Sequence, residues 1–284
     1  MNKLNIISNV DELRKEILHF KNKKKSIGFV PTLGGLHNAH LELIRYAKKR
    51  SDVIVVSIFL NPIQFNKKKD YNSYPKDISK DKKKIKGEKI NIVYIPDLKQ
   101  VFPYKKIDKI KASRSSIPLC GKYRKGHFDG VVTVLKVFFD QIQPDKLFMG
   151  EKDFQQIKVV EDLIKKYRIQ TKIISHPTVR NKHGLALSSR NSLLEKKREK
   201  IAANLFRILT IISKKFTRDK KKDRKLISWG KKELLNNGFT KVDYIEILDE
   251  KSLSKNFKNK GKFRVFGAAY LDKIRLIDNV SIKD

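Results

Sequence analysis

The stretch from Lys25 to Leu60 constrains the fold more than any other part of the chain. Ile27-Gly28-Phe29-Val30 is an apolar run closed by Pro31, and a Gly34-Gly35 loop follows. Leu41, Ile44 and Ala47 then recur at helical spacing over about Asn38 to Arg50. Val53 to Leu60 is a continuous, largely β-branched run, as in strands buried on both faces of a sheet. Strand, helix and strand in so short a span make a βαβ unit, which implies a parallel sheet. Further strands are expected at Ile90 to Ile95, Lys146 to Met149 and Thr171 to Ser175, with helices over Phe128 to Gln141 and Asp153 to Tyr167. After about residue 180 the texture changes. Leu193 to Lys215 and Leu226 to Asn236 read as helices flanking a charged linker, Thr217 to Lys225. Strands are expected at Val242 to Leu248, Phe263 to Leu271 and Ile274 to Ile277. The expected architecture is a Rossmann-like α/β domain with a parallel sheet over residues 1–178, then a smaller α+β domain over 179–284.

Composition excludes several classes. The longest apolar runs fall well short of the roughly 20 residues that span a bilayer. The opening Met1-Asn2-Lys3-Leu4 lacks a signal-peptide apolar core. Cys120 is the one cysteine, which rules out an internal disulfide and a thiolate-rich zinc site. A cytoplasmic protein with no membrane partner is expected. The net charge of +36 invites a nucleic-acid reading. Against it, only 14 of the 66 basic residues are Arg, the lysines are scattered through every segment, and no aromatic platform is interleaved with them. A solvated basic surface, with no specific nucleic-acid partner, accounts for the charge; a basic RNA-binding protein is the alternative from another class.

Four segments carry chemistry. Leu33-Gly34-Gly35-Leu36-His37-Asn38-Ala39-His40 follows a strand and opens a helix, where glycines admit a ligand close to the backbone and free N–H groups attract phosphate. His37 and His40 share one face of the first turn and can donate hydrogen bonds to a triphosphate. The bland reading is a steric glycine turn with surface histidines, and Walker A and Rossmann glycine motifs are absent. Asn61 to Phe65 follows the second strand, where an amide such as Gln64 can fix a carboxylate; a polar turn is an equal reading. In Gly150-Glu151-Lys152-Asp153-Phe154-Gln155-Gln156, a capping box of Asp153 and Gln156 explains all but Lys152, a point charge suited to phosphate. Leu187-Ser188-Ser189-Arg190 offers hydroxyls and a guanidinium, while Ser192 and Glu195 form a capping box for the helix expected next.

Together these segments resemble the pantothenate synthetase (pantoate–β-alanine ligase) family, within the wider nucleotidylyltransferase superfamily. The likeness runs through PTLGGLHNAH (31–40), VVSIFLNPIQF (55–65), GKYRKGHFDGVVTVLKVF (121–138), GEKDFQQ (150–156), HPTVR (176–180), GLALSSRN (184–191), VDYIEILD (242–249) and RLIDN (275–279). The resemblance implies a ligase of pantothenate and coenzyme A synthesis. ATP would activate pantoate as an adenylate with release of pyrophosphate, and β-alanine would displace AMP. It implies that Leu33 to His40, Gly150 to Asp153, Val179 and Leu187 to Arg190 contact ATP, and that Gln64 and Gln156 hold pantoate, with His37, His40 and Lys152 catalytic. It further implies Mg²⁺ with ATP, a C-terminal lid, a homodimer, and convergence of the phosphate-directed residues on one cleft. No motif designates protein ligands for the metal. Leu33, Lys76, Cys120 and Lys125 depart from the family's Met, Arg, Glu and Pro, and Ala39 replaces a Gly between the histidines. A nucleotidylyltransferase acting on a phosphorylated alcohol is the runner-up, and it leaves Gln64 and Gln156 with no carboxylate to hold.

Overall fold

The computed structural model describes residues 5–103, 107–218, 223–255, 257 and 261–282. In chain order they form β1 (Asn5–Ile7), α1 (Val10–Asn22), β2 (Ile27–Thr32), α2 (Asn38–Lys48), β3 (Val53–Ile58), α3 (Lys68–Asn72) and α4 (Ile78–Lys86). These are followed by β4 (Ile92–Tyr94), α5 (Leu98–Val101), α6 (Cys120–Tyr123), α7 (His127–Ile142), β5 (Lys146–Gly150), α8 (Phe154–Lys166) and β6 (Lys172–His176). The remainder is α9 (Glu199–Ala202), α10 (Asn204–Arg218), α11 (Asp223–Asn236), β7 (Lys241–Asp249), β8 (Phe263–Leu271) and β9 (Ile274–Ile282). The chain divides into two compact units. The first holds the chain through Ser113 with Arg124–Glu151 and Val159–Pro177; the second holds Arg114–Tyr123, Lys152–Lys158 and the chain from Thr178.

In the first unit six strands lie in the order β1-β4-β3-β2-β5-β6, every pairing parallel. Alternate residues face opposite sides. Val30, Ile54 and Val56 join Leu43, Ile44 and Ala47 of α2 in one core. On the other side Phe138 of α7 meets Phe29, Phe59 and Tyr94 edge-on, with ring centroids 5.7 to 6.0 Å apart. Covering both faces explains the unbroken apolar run of β3. Among the helices that escape sequence reading are α1 and α4. Asn9 caps α1 by accepting from the Asp11 and Glu12 N–H groups. α4 is written ISKDKKKIK, a charge run that hides a helix whose buried residues are Asp81 and Ile85.

The second unit is built on an antiparallel sheet, β7-β8-β9. Leu205, Ile208, Leu209, Ile212 and Phe216 of α10 pack against Ile245, Ile247, Val265, Ala269 and Leu276 of that sheet. The expected helix at Leu193 begins later, with α9 at Glu199, and continues as α10 from Asn204 after a turn at Ala203. Before it the backbone turns through Ser189–Leu193 and Lys196–Arg198 with tight three-residue repeats. Side chains compete with helix here: Ser192 Oγ donates to the Ser189 carbonyl, and Asn191 Nδ2 to that of Ala186. Ser188 accepts from the Arg190 N–H and caps the turn, so the Ser192–Glu195 box does not form. β9 extends past the expected Ile277 to Ile282. Of the expected linker, residues 219–222 lie outside the described residues, and its two ends belong to α10 and α11.

Candidate active site

Parallel strands deliver their following loops to one end of the sheet. β3, β2 and β5 are neighbours, and the strand order reverses at β2, the position where open α/β sheets bind ligands. All three strands are followed by segments that the sequence singles out.

After β2, Gly34 (φ 84°) and Gly35 (φ 64°) adopt left-handed conformations that favour glycine. A Cβ on Gly34 would stand 3.2 Å from Asp81 Oδ2. The buried Asp81 carboxylate accepts from the Gly35 N–H (2.8 Å) and the Leu36 N–H (2.7 Å), while Lys84 Nζ donates to the Leu36 carbonyl. Two of the amides that the glycine loop offered to phosphate are therefore engaged by the protein's own anion. The donors at the helix start are then the N–H groups of Asn38 and Ala39, the first two positions of α2, which an α-helix leaves without intrahelical acceptors. His37 and His40 have ring centroids 4.0 Å apart. The His37 N–H donates to His40 Nδ1 (3.3 Å), which leaves the proton of a neutral ring on Nε2. A neutral His40 so held turns a hydrogen-bond donor, Nε2, away from the His37 backbone. Leu33 is half-buried in the same loop.

After β3, Asn61 and Gln64 are both buried. Asn61 Nδ2 donates to Gln64 Oε1 (3.1 Å) and to the Gly130 carbonyl (3.0 Å), which turns the Gln64 Nε2 donors away from Asn61. Gly130 is required: a Cβ there would come within 2.4 Å of the Ile63 carbonyl. His127 Nδ1 lies 2.8 Å from the Gln64 carbonyl, so Nδ1 is the donor and Nε2 accepts from Arg124 Nη1 at 3.0 Å. Beyond β5, Gly150 ends the strand and Glu151 accepts from Ser175 Oγ at 3.2 Å.

The second unit carries the remaining residues. Lys152 is mostly buried, 3.6 Å from Asp153. Of the two glutamines, Gln155 is structural: its amide donates to the Ser115 and Pro118 carbonyls and accepts from the Cys120 N–H. Gln156 is half-buried. Val179 and Leu187 are joined through a backbone hydrogen bond that closes a hairpin around the Arg180–Ala186 bridge. Ser188, Ser189 and Arg190 follow in the tight turn, with Ser189 buried. The structure thus gathers Leu33 to His40 and Gln64 around adjacent strand ends of the first unit. Lys152, Asp153, Gln156, Val179 and Leu187 to Arg190 belong to the second.

Sequence reasoning missed Asp81, Arg124, His127 and Asn279 as residues that hold the site. Arg124, His127 and Asn279 lie in quoted motifs, without a role; Asp81 is masked by its lysine-rich surroundings. Cys120 is buried 3.2 Å from the Tyr244 hydroxyl and 3.6 Å from Arg275 Nη1, and burial pushes the Tyr244 phenol up. Among the described residues no group of three or more His, Cys, Asp or Glu is arranged to hold a metal ion.

The family model described as pantoate–β-alanine ligase matches residues 5–281. A pantothenate synthetase of Buchnera aphidicola subsp. Acyrthosiphon pisum is 40% identical over 285 residues, covering 98% of this chain and 99% of the relative. The crystal structure of pantothenate synthetase from Thermus thermophilus superposes with a TM-score of 0.90 at 30% identity, covering 99% of this chain and 100% of that one. The pantoate–β-alanine ligase of Francisella tularensis, complexed with β,γ-ATP and β-alanine, gives 0.84 at 33% identity and 99% coverage of both chains.

Proposed function

Because the chain belongs to the pantoate–β-alanine ligase family, we propose that it joins pantoate to β-alanine at the expense of ATP, in the synthesis of pantothenate and hence coenzyme A. One observation carries this reading. The His37–His40 helix start and the Gln64 turn follow adjacent parallel strands, β2 and β3, whose axes run about 4.8 Å apart. A nucleotide phosphate held by the first and a carboxylate held by the second would lie side by side at one end of the sheet, the placement from which reacting groups are brought to the approach distance of about 3–3.5 Å.

The chemistry follows from the groups available. A pantoate carboxylate oxygen attacks the α-phosphorus of ATP, a P–O bond forms, and the α–β bridge breaks to release pyrophosphate. The β-alanine amine then attacks the acyl carbon of the adenylate, AMP departs as the C–O bond breaks, and the amine loses a proton. A carboxylate is already nucleophilic, so the protein's task is placement and stabilisation of developing charge on the phosphate. The Asn38 and Ala39 amides, His37, His40 Nε2 and Lys152 serve that task. Gly34, Gly35, Leu33, Leu36, Gly150, Glu151, Asp153, Val179 and Leu187 to Arg190 complete the ATP contacts, and Gln64 and Gln156 hold pantoate. Magnesium would enter with ATP and neutralise charge on its phosphates. A homodimer and a cytoplasmic location belong to the same proposal; no described helix is long and apolar enough to cross a membrane.

The deciding experiment is ATP–pyrophosphate exchange with pantoate present and β-alanine omitted. Exchange is expected with pantoate alone. An absolute requirement for β-alanine would overturn the separate adenylation step.

A further inference from the structure

Asp278 and Asn279 are consecutive residues of β9, both only 5% exposed. Strand geometry sends their side chains to opposite faces of the sheet. Asp278 receives Arg180 through two bonds, Nη1 to Oδ2 at 2.5 Å and Nη2 to Oδ1 at 2.9 Å. The Arg180 guanidinium lies 3.6 Å over the Phe206 ring and also donates to the Gly184 carbonyl. Arg180 is therefore fixed on three sides, and with it the hairpin that runs from Val179 into Ser188–Arg190. On the opposite face, Asn279 Nδ2 donates to the Lys152 carbonyl at 2.9 Å, and Asn279 Oδ1 accepts from Arg264 Nη1 at 2.5 Å. Arg264 is itself held by Glu250 Oε1 and by the Phe154 ring, 4.0 Å away. The amide can satisfy both neighbours in one orientation alone, donor toward Lys152 and acceptor toward Arg264.

β9 needs neither side chain to stay in its sheet. It pairs with β8 from Ile274 to Ile282, and Leu276 and Ile282 are anchored in the apolar core. We infer that Asp278 and Asn279 are positioning residues for the ligation: one strand pins, from its two faces, the Lys152 backbone and the hairpin that leads to Ser188–Arg190. The inference rests on the reading that those two segments bind ATP. Fixing both from adjacent residues of one strand sets their mutual spacing, and catalysis is sensitive to displacements of about 1 Å.

The test is steady-state pyrophosphate exchange on the full-length enzyme. Asn279→Asp retains the acceptor for Arg264 but sets an oxygen against the Lys152 carbonyl. It should lower kcat by about tenfold or more, with KM for pantoate changed less than about twofold. In a Lys152→Ala background the same substitution should cost less than about twofold, because the group it positions is gone. Asp278→Asn should act chiefly by raising KM for ATP. Val280→Ala, on the same strand and packed on the core, supplies a variant of lowered melting temperature that keeps its kcat. If Asn279→Asp does not fold, Arg264→Lys, which removes the bond that orients Asn279, must show the same kcat loss. Normal exchange by folded Asn279→Asp, or additivity with Lys152→Ala, overturns the inference. Normal exchange by Lys152→Ala would instead overturn the ATP reading beneath it.

Discussion

The loop after β2 and the segments gripped by β9 are each held rigid, but by different means. The loop is fixed mainly by its own residues, two left-handed glycines and a histidine capping within three residues, with one carboxylate brought from α4. The Lys152 and Val179–Arg190 segments are held by side chains projecting from a strand that contributes no loop of its own to them. The difference follows from sheet type. A parallel sheet brings successive loops to one end, so a loop such as this one is placed by its strand and needs little further fastening. An antiparallel meander sends alternate loops to opposite ends, and a segment lying across its face has to be fastened by the residues of that face.

Lys152→Ala gives the largest effect and separates holding from reacting. It should reduce kcat by about 10² or more, the range for losing one preorganised contact, and leave the melting temperature nearly unchanged. A large fall in melting temperature with normal turnover in the folded fraction would place Lys152 among the structural groups. Asp81→Ala probes the other unit and should do the reverse. Removing the carboxylate strands the Gly35 and Leu36 amides, at about 1–3 kcal/mol for each buried donor left unsatisfied. Calorimetry should show a marked fall in melting temperature, and kinetics a raised KM for ATP. Unchanged stability would mean that the glycine loop holds itself.

Ala39→Gly is a smaller change at the same helix start. It should cost the helix up to about 1 kcal/mol, less so near its terminus, while relieving crowding against the nucleotide. A lower KM for ATP with a slightly lower melting temperature is expected; an unchanged or raised KM shows that the methyl group is accommodated. The smallest effect concerns Asp77, which caps α4 and so steadies the helix that carries Asp81. The backbone hydrogen bond from Lys80 holds its pKa below the ordinary aspartate value. A carboxylate depressed on folding contributes fully above its unfolded pKa, and that contribution is lost as pH falls through the folded value. Asn can cap as well as Asp but does not titrate in this range. The melting-temperature advantage of wild type over Asp77→Asn should therefore be constant near neutrality and shrink below about pH 4. A constant difference down to pH 3 would show that the cap has no charge-dependent share.

Spacing along the chain was enough to determine the parallel βαβ core, the strand at Val53 and the presence of strands after residue 240, and its motifs singled out the segments around His37, Gln64, Lys152 and Ser188. Apolar periodicity and glycine placement are local properties, and they survive without knowledge of the fold. Family resemblance picked Gln156 over Gln155, but no local pattern gave Gln155 its structural role, since neighbouring residues of a helix face different surroundings that only packing defines. Nor did the sequence disclose that Asp81 occupies the amides of a loop 46 residues away, or that Asn279 holds the carbonyl of Lys152 across 127 residues. Those partners are brought together by sheet order and strand register, and a hydrogen bond between distant residues leaves no periodic trace in either of the segments it joins.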